Sequence, residues 1–189
     1  TSGQLVLASG NGEDVYLDAS SQAATITGTA SNFENLVVGT GTATAFVNDT
    51  INTTTVNLSA STVNEGAGAN YVFTATLSNA SQGVTTVHTS QGDITIGNGA
   101  TTGTLTLASG NAEDPYLDSS SLAATITSTT GGNFENLVVG TASATARVND
   151  TITPTAVTID DVTVNSGSSA TILAHVANVV TGTPLVVTL

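Results

Sequence analysis

Between Thr53 and Asp150 the chain consists of short runs in which apolar and polar residues alternate. In Asn70–Ser78, Tyr71, Phe73, Ala75 and Leu77 share one face, while Thr74 and Thr76 share the other. In Thr102–Ala108, Leu105 and Leu107 oppose Thr102, Thr104 and Thr106. A period of two marks a half-buried strand. The runs are separated by turn-forming stretches rich in Gly and Asn, namely NEGAGAN, SQGD, GNGATTG and TTGGN. The pattern predicts seven strands: Thr55–Ala60, Asn70–Ser78, Val84–Thr89, Asp93–Gly97, Thr102–Ala108, Ala123–Ser128 and Leu137–Val148. No stretch carries an apolar stripe at helical spacing. The expected fold class is therefore all-β, a seven-stranded Ig-like β-sandwich.

The pattern repeats. Residues 1–30 align with 101–130 without a gap. Asn32–Ile51 matches Asn133–Ile152 at seventeen of twenty positions. A period of about 100 residues is too long for a solenoid coil and suits a tandem array of small domains. The segments VNDTINTTTVNL and VNDTITPTAVTI read as the links between units. The expected division is then 1–52, the back half of one sandwich; 53–151, a complete one; and 152–189, the front of a third. The chain reads as a fragment of something larger. Two accounts of its half-units compete. One is a window cut from a longer array. The other is a subunit whose half-domains complete each other head to tail, by strand addition between molecules.

Charge changes the picture. The chain has 14 acids, one base (Arg147) and a net charge of −13. Nothing here could displace counterions from a nucleic acid or engage an anionic membrane surface. No apolar run approaches the ~18 residues of a membrane span. With no Cys, disulfide and thiolate chemistry are excluded. Catalysis is not expected: no GxSxG elbow occurs, and neither His88 nor His175 has an acid close by in sequence. The Thr-X-Thr runs read as the solvent faces of strands rather than as a ligand surface.

The acids are gathered. SGNGEDVYLDASS (9–21) and SGNAEDPYLDSSS (109–121) each place three carboxylates in six positions: Glu13, Asp14 and Asp18, then Glu113, Asp114 and Asp118. Strands running alternately down and up bring Glu65, Asp93, Glu113, Asp114, Asp118 and Asp150 to one pole of the complete unit. Glu135 lies at the opposite pole, facing the acids of the preceding unit. Six like charges within ~10 Å repel by several kcal/mol unless neutralised, and no Lys is present to do it. A hard cation is the direct answer. Ca²⁺ accepts six to eight oxygen ligands in a forgiving geometry, whereas Mg²⁺ demands a near-ideal octahedron and Zn²⁺ wants His or Cys. Tyr16 and Leu17, like Tyr116 and Leu117, are expected to anchor the loop to the core while the acids face the metal.

The constellation NEG (64–66), AED..LD (112–118) and VND (148–150) resembles the Calx-β type of Ca²⁺-binding sandwich. The longer pattern, from DTINTTTVNLSAS through YVFTATLSNA and GDITIGNGATTGTLTLAS to NFENL, resembles the tandem extender repeats of giant bacterial RTX adhesins of the LapA-like kind. The resemblance implies a spacer module secreted to the bacterial cell surface, Ca²⁺ near the domain junctions, and a part in attachment or biofilm formation. Carried over by position, it implies Glu65, Glu113, Asp114, Asp118 and Asp150 as ligands, with Glu13, Asp14, Asp18 and Asp49 in the preceding unit. The glycine-rich nonapeptides of RTX proteins are absent. The third unit departs from the pattern: Ser166 replaces the Glu, and Asp160 and Asp161 appear instead. The partners implied are neighbouring repeats, with a homopolymer through strand complementation as the alternative.

Overall fold

The computed structural model describes residues 1–188, and they are all-β. No helix long and apolar enough to cross a membrane occurs among them. The strands of the middle stretch are β3 (Thr53–Ala60), β4 (Thr62–Asn64), β5 (Asn70–Leu77), β6 (Thr85–Thr89), β7 (Gly92–Ile96), β8 (Thr102–Ala108), β9 (Ser120–Gly131), β10 (Asn136–Val139) and β11 (Ser143–Asn149). They form a four-stranded sheet in the order β10-β3-β5-β8 and a five-stranded sheet in the order β4-β11-β9-β6-β7. Before them, β1 (Ser20–Thr25) pairs antiparallel with β2 (Thr42–Val47). After them, β12 (Val157–Ile159) pairs antiparallel with β13 (Ala174–Val176). Leu189, assigned by the sequence to the third unit, lies outside the described residues.

Two compact units divide the chain. The first comprises Thr1–Ser59, Phe73–Leu105 and Ala124–Ala144. It holds the larger apolar core: Val56 and Leu58 from β3, Phe73, Ala75 and Leu77 from β5, Val87 from β6, Ile94 and Ile96 from β7, and Ala124 and Ile126 from β9. Every second residue points inward because a strand alternates its side chains. Burying a side chain the size of Phe73 contributes about 1.5–3 kcal/mol. The second unit comprises Ala60–Val72, Thr106–Ala123 and the chain from Thr145 onward. In it β4 runs parallel to β11, with Asn64 opposite Asn149, and Tyr71, Ala146 and Val148 are buried.

The sequence predicts one last strand, Leu137–Val148. The structure splits it in two. β10 pairs in parallel with β3. Gly140 and Thr141 continue the bonding to β3, Ala142 O already accepts from Ile126 N–H of β9, and β11 belongs to the other sheet. Asn57 packs against this crossover: its Oδ1 accepts from Thr141 N–H at 2.7 Å, and a Cβ at Gly140 would meet that same oxygen at 2.4 Å. The predicted Ala123–Ser128 extends to the whole of β9, because its Ser and Thr positions continue the ladder without an apolar signal.

Candidate metal centre

The parallel pairing of β4 with β11 builds the centre. Glu65 and Asp150 are the next residues after the Asn64/Asn149 pair, and Glu65 N–H donates to Asn149 O at 2.8 Å. The two carboxylates therefore leave the sheet side by side. Glu65 is 7% exposed. Its Oε1 accepts from Thr151 N–H at 2.9 Å and from Thr151 Oγ1 at 3.1 Å. Its Oε2 is buried without a hydrogen-bond partner, as is Oδ1 of Asp150.

Asp118 completes the group. The loop that carries it folds on local polar bonds. Ser109 Oγ donates to Ala69 O at 2.6 Å, Asn111 Nδ2 donates to Asp118 O at 2.7 Å, and Tyr116 N–H donates to Asp114 Oδ1 at 2.7 Å. One carboxylate oxygen from each of Glu65, Asp118 and Asp150 lies within 4.8 Å of the others. The Thr151 N–H holds Glu65 below the usual carboxylate range. The close approach of the Glu65 carboxylate raises Asp118, and loss of solvent and repulsion from Glu65, Asp114 and Asp150 add to it. Three carboxylates at this separation repel strongly, and two buried oxygens lack donors. A hard cation fits both deficits.

The first unit contains a related arrangement. Glu13 accepts from Thr50 Oγ1 and Asn52 Nδ2, as Glu113 accepts from Thr151 and Thr153. Asp14 Oδ1 accepts from Tyr16 N–H at 2.7 Å, and Asp49 Oδ2 accepts from Asp18 N–H at 3.1 Å. Burial, and then repulsion from Asp49, Asp14 and Glu13, raises Asp18. Glu135 joins these acids: its Oε2 accepts from Asn52 N–H, and its Oε1 is buried without a partner. The Asn52 N–H lowers its pKa, but burial, Asp49 and Glu13 together hold it above the usual value.

Of the six carboxylates expected at one pole, the structure draws Glu65, Asp118 and Asp150 into a tight group of three. Glu113 turns to the threonines of the following link, and Asp114 to its own loop backbone. Asp93 is opposite His88 in the β6–β7 ladder and bonds its Nδ1 at 2.8 Å. His175 likewise bonds Asp160 at 2.7 Å. The leucine half of the anchor expectation is corrected: Leu17 and Leu117 are exposed. Tyr16 does anchor its loop, on the buried ring of Phe134, and the Tyr16 and Tyr116 hydroxyls reach carbonyls far along the chain. Sequence reasoning missed Thr50, Asn52, Thr151 and Thr153 as partners of the acids. Their signal was the polar run that follows VND in both copies.

No curated protein and no solved structure matches the chain. The family model described as the LapA domain matches residues 1–50 and 52–151. With most of its length matched, the chain belongs to the LapA domain family.

Proposed function

We propose that this chain is a run of calcium-stiffened spacer domains from an adhesin displayed on a bacterial cell surface, where it supports attachment or biofilm formation. Domains of about 100 residues, joined at the VNDT links, would hold the adhesive end away from the cell. The observation that carries this reading is the buried Glu65, which has an orphaned Oε2 and a carboxylate oxygen within 4.8 Å of those of Asp118 and Asp150. Bound Ca²⁺ would supply the positive charge that a chain with one base lacks. Glu65, Asp118 and Asp150 would hold it, with Glu113 and Asp114 beside them. Asp18, Asp49 and Glu135, with Glu13 and Asp14, would do the same at the preceding junction. Thr151 follows Asp150 directly and is bonded to both Glu65 and Glu113. Ordering the carboxylates therefore orders the start of the link.

Titration calorimetry with CaCl₂, paired with small-angle scattering in Ca²⁺ and in EGTA, tests the reading. Binding near 10⁻⁴–10⁻³ M is expected, as for other extracellular modules. A broader scattering distribution is expected on chelation. No heat of binding and superimposable scattering curves would refute it.

A second reading, a filament subunit, is favoured by exposed apolar residues at Leu5, Phe33 and Phe46. It predicts concentration-dependent polymers in sedimentation velocity. A monomer across the accessible range would exclude it.

A further inference from the structure

The loop Ser9–Ser21 makes contacts for which the metal reading has no use. Tyr16 Oη donates to Ala80 O at 2.6 Å, across 64 residues of chain. Its ring stacks on Phe134, with centroids 5.7 Å apart and planes inclined by 27°. The backbones of Tyr16 and Phe134 form an antiparallel bridge. Leu17 N–H donates to Asn133 O at 3.0 Å, and Glu135 N–H donates to Val15 O at 3.0 Å.

The receiving surface is specially shaped. Asn133 adopts φ +54°, the only positive φ outside glycine among the described residues. Asn enters that region more readily than other non-glycine residues because its side chain can bond nearby polar groups. Here Asn133 Nδ2 is bonded to Gln82 Oε1 at 2.9 Å, and its carbonyl serves Leu17. Phe134 is buried, and a Cβ on Gly132 would strike its ring at 2.4 Å.

The second copy makes the same reach. Tyr116 Oη donates to Val179 O at 2.8 Å, across 63 residues. Its ring lines a cavity with Val176, Val180, Pro184 and Leu185. Two tyrosines at equivalent positions of the repeat thus seek a backbone carbonyl at nearly the same distance along the chain.

We propose that this tyrosine is a docking plug, by which the acidic loop of one repeat seats on the following repeat of the same chain. The partner surface is the pair of loops around Ala80 and Asn133–Phe134. Its recognition chemistry is a buried aromatic face, a free carbonyl and a two-bond strand edge. None of these contacts passes through a carboxylate side chain of the receiving loops. The joint therefore forms without a cation, and a cation tightens a joint that already exists.

Amide hydrogen exchange, read by NMR on the full chain in Ca²⁺ and in EGTA, tests the proposal. The Leu17 and Glu135 amides should be protected in both buffers. Tyr16→Phe removes one hydrogen bond and should lower that protection about fivefold. Tyr16→Ala also removes the stacked ring and should lower it roughly thirtyfold or more. The Leu77 amide, bonded to Thr101 O at 2.8 Å inside the sandwich, should keep its protection in both variants. If Tyr16→Ala unfolds the sandwich, Tyr16→Phe decides alone. Free-peptide exchange at Leu17 and Glu135 in the unaltered chain would overturn the plug, as would protection indifferent to both substitutions. Protection that vanishes on EGTA alone would overturn it too, while leaving the calcium reading intact. Failure of Ca²⁺ binding with both amides still protected would do the reverse.

Discussion

Glu65→Gln separates the charge of Glu65 from its hydrogen bonds. The glutamine Oε1 can keep the two bonds from Thr151, now at 2.9 and 3.1 Å. Its amide nitrogen takes the place of the orphaned Oε2 and can donate toward Asp118 and Asp150, whose oxygens lie within 4.8 Å of that carboxylate. The substitution therefore removes one of three mutually repelling charges and gives the other two a donor. Without calcium, the variant should melt above the unaltered chain. With calcium, the order should reverse. A site with Kd of 10⁻⁴–10⁻³ M, saturated at 10 mM Ca²⁺, stabilises by RT ln(1 + [L]/Kd), or about 1.4–2.7 kcal/mol. For a domain of this size that is a rise of roughly 6–20 °C in Tm. The variant should lose most of that rise.

Differential scanning calorimetry of both proteins, in EGTA and in 10 mM CaCl₂, provides the four melting temperatures needed. Asp93→Asn is the control. Asp93 is bonded to His88 and stands outside the group of three, so its calcium response should be unchanged. A Glu65→Gln chain that melts lower than the unaltered chain in EGTA would refute the picture of unrelieved repulsion. A full calcium response in that variant would refute Glu65 as a ligand.

The calcium-free protein should grow more stable as pH falls from 7 toward 5. Asp18, Asp118 and Glu135 have raised pKa values, so the folded state binds protons that the unfolded state has not yet taken up, and stability rises as they load. Glu65, held low, contributes in the opposite sense only below the ordinary carboxylate range. Melting curves in EGTA across that window check the sign, and a steady fall in Tm would contradict it. Gly131→Ala should cost about 2 kcal/mol or more, because φ there is +82° and a Cβ would lie 2.1 Å from Val84 O. Urea unfolding measures it, and a loss under about 0.5 kcal/mol, the size of an ordinary surface substitution, would contradict the geometry.

Strand alternation was the legible part of the fold. β8 falls on its predicted bounds and β5 within one residue, because Leu105, Leu107 and the inward face of Asn70–Leu77 carry an unbroken period of two. The crossover after Thr141 was not legible. Alternation continues through it, and the Asn57 side chain that takes up the Thr141 amide there lies more than 80 residues earlier. The acid group was legible in composition and in part in geometry. Counting strand directions brought Glu65, Asp118 and Asp150 together. It also drew in Asp93, whose place is fixed by its register against His88, a fact that no count of directions contains. The tyrosines were legible as loop anchors but their targets were not, because the receiving carbonyls lie 63 or 64 residues on.

The register of β4 against β11 explains why the acids stand where they do. The parallel ladder ends at Asn64 and Asn149, so the first side chains beyond it are neighbours by necessity. Placing carboxylates at both positions weakens the last rung of that ladder, since two adjacent negative charges push the strand ends apart. An apolar pair would have stabilised the rung unconditionally. Glu65 and Asp150 make its strength depend on what lies between them. On the calcium reading, the cation would clamp the rung nearest the exit, where peeling would otherwise begin. Thr151, tied to Glu65 and Glu113, would carry the clamp into the link. A spacer built this way would bear load where Ca²⁺ is plentiful and yield from its exit end where it is not.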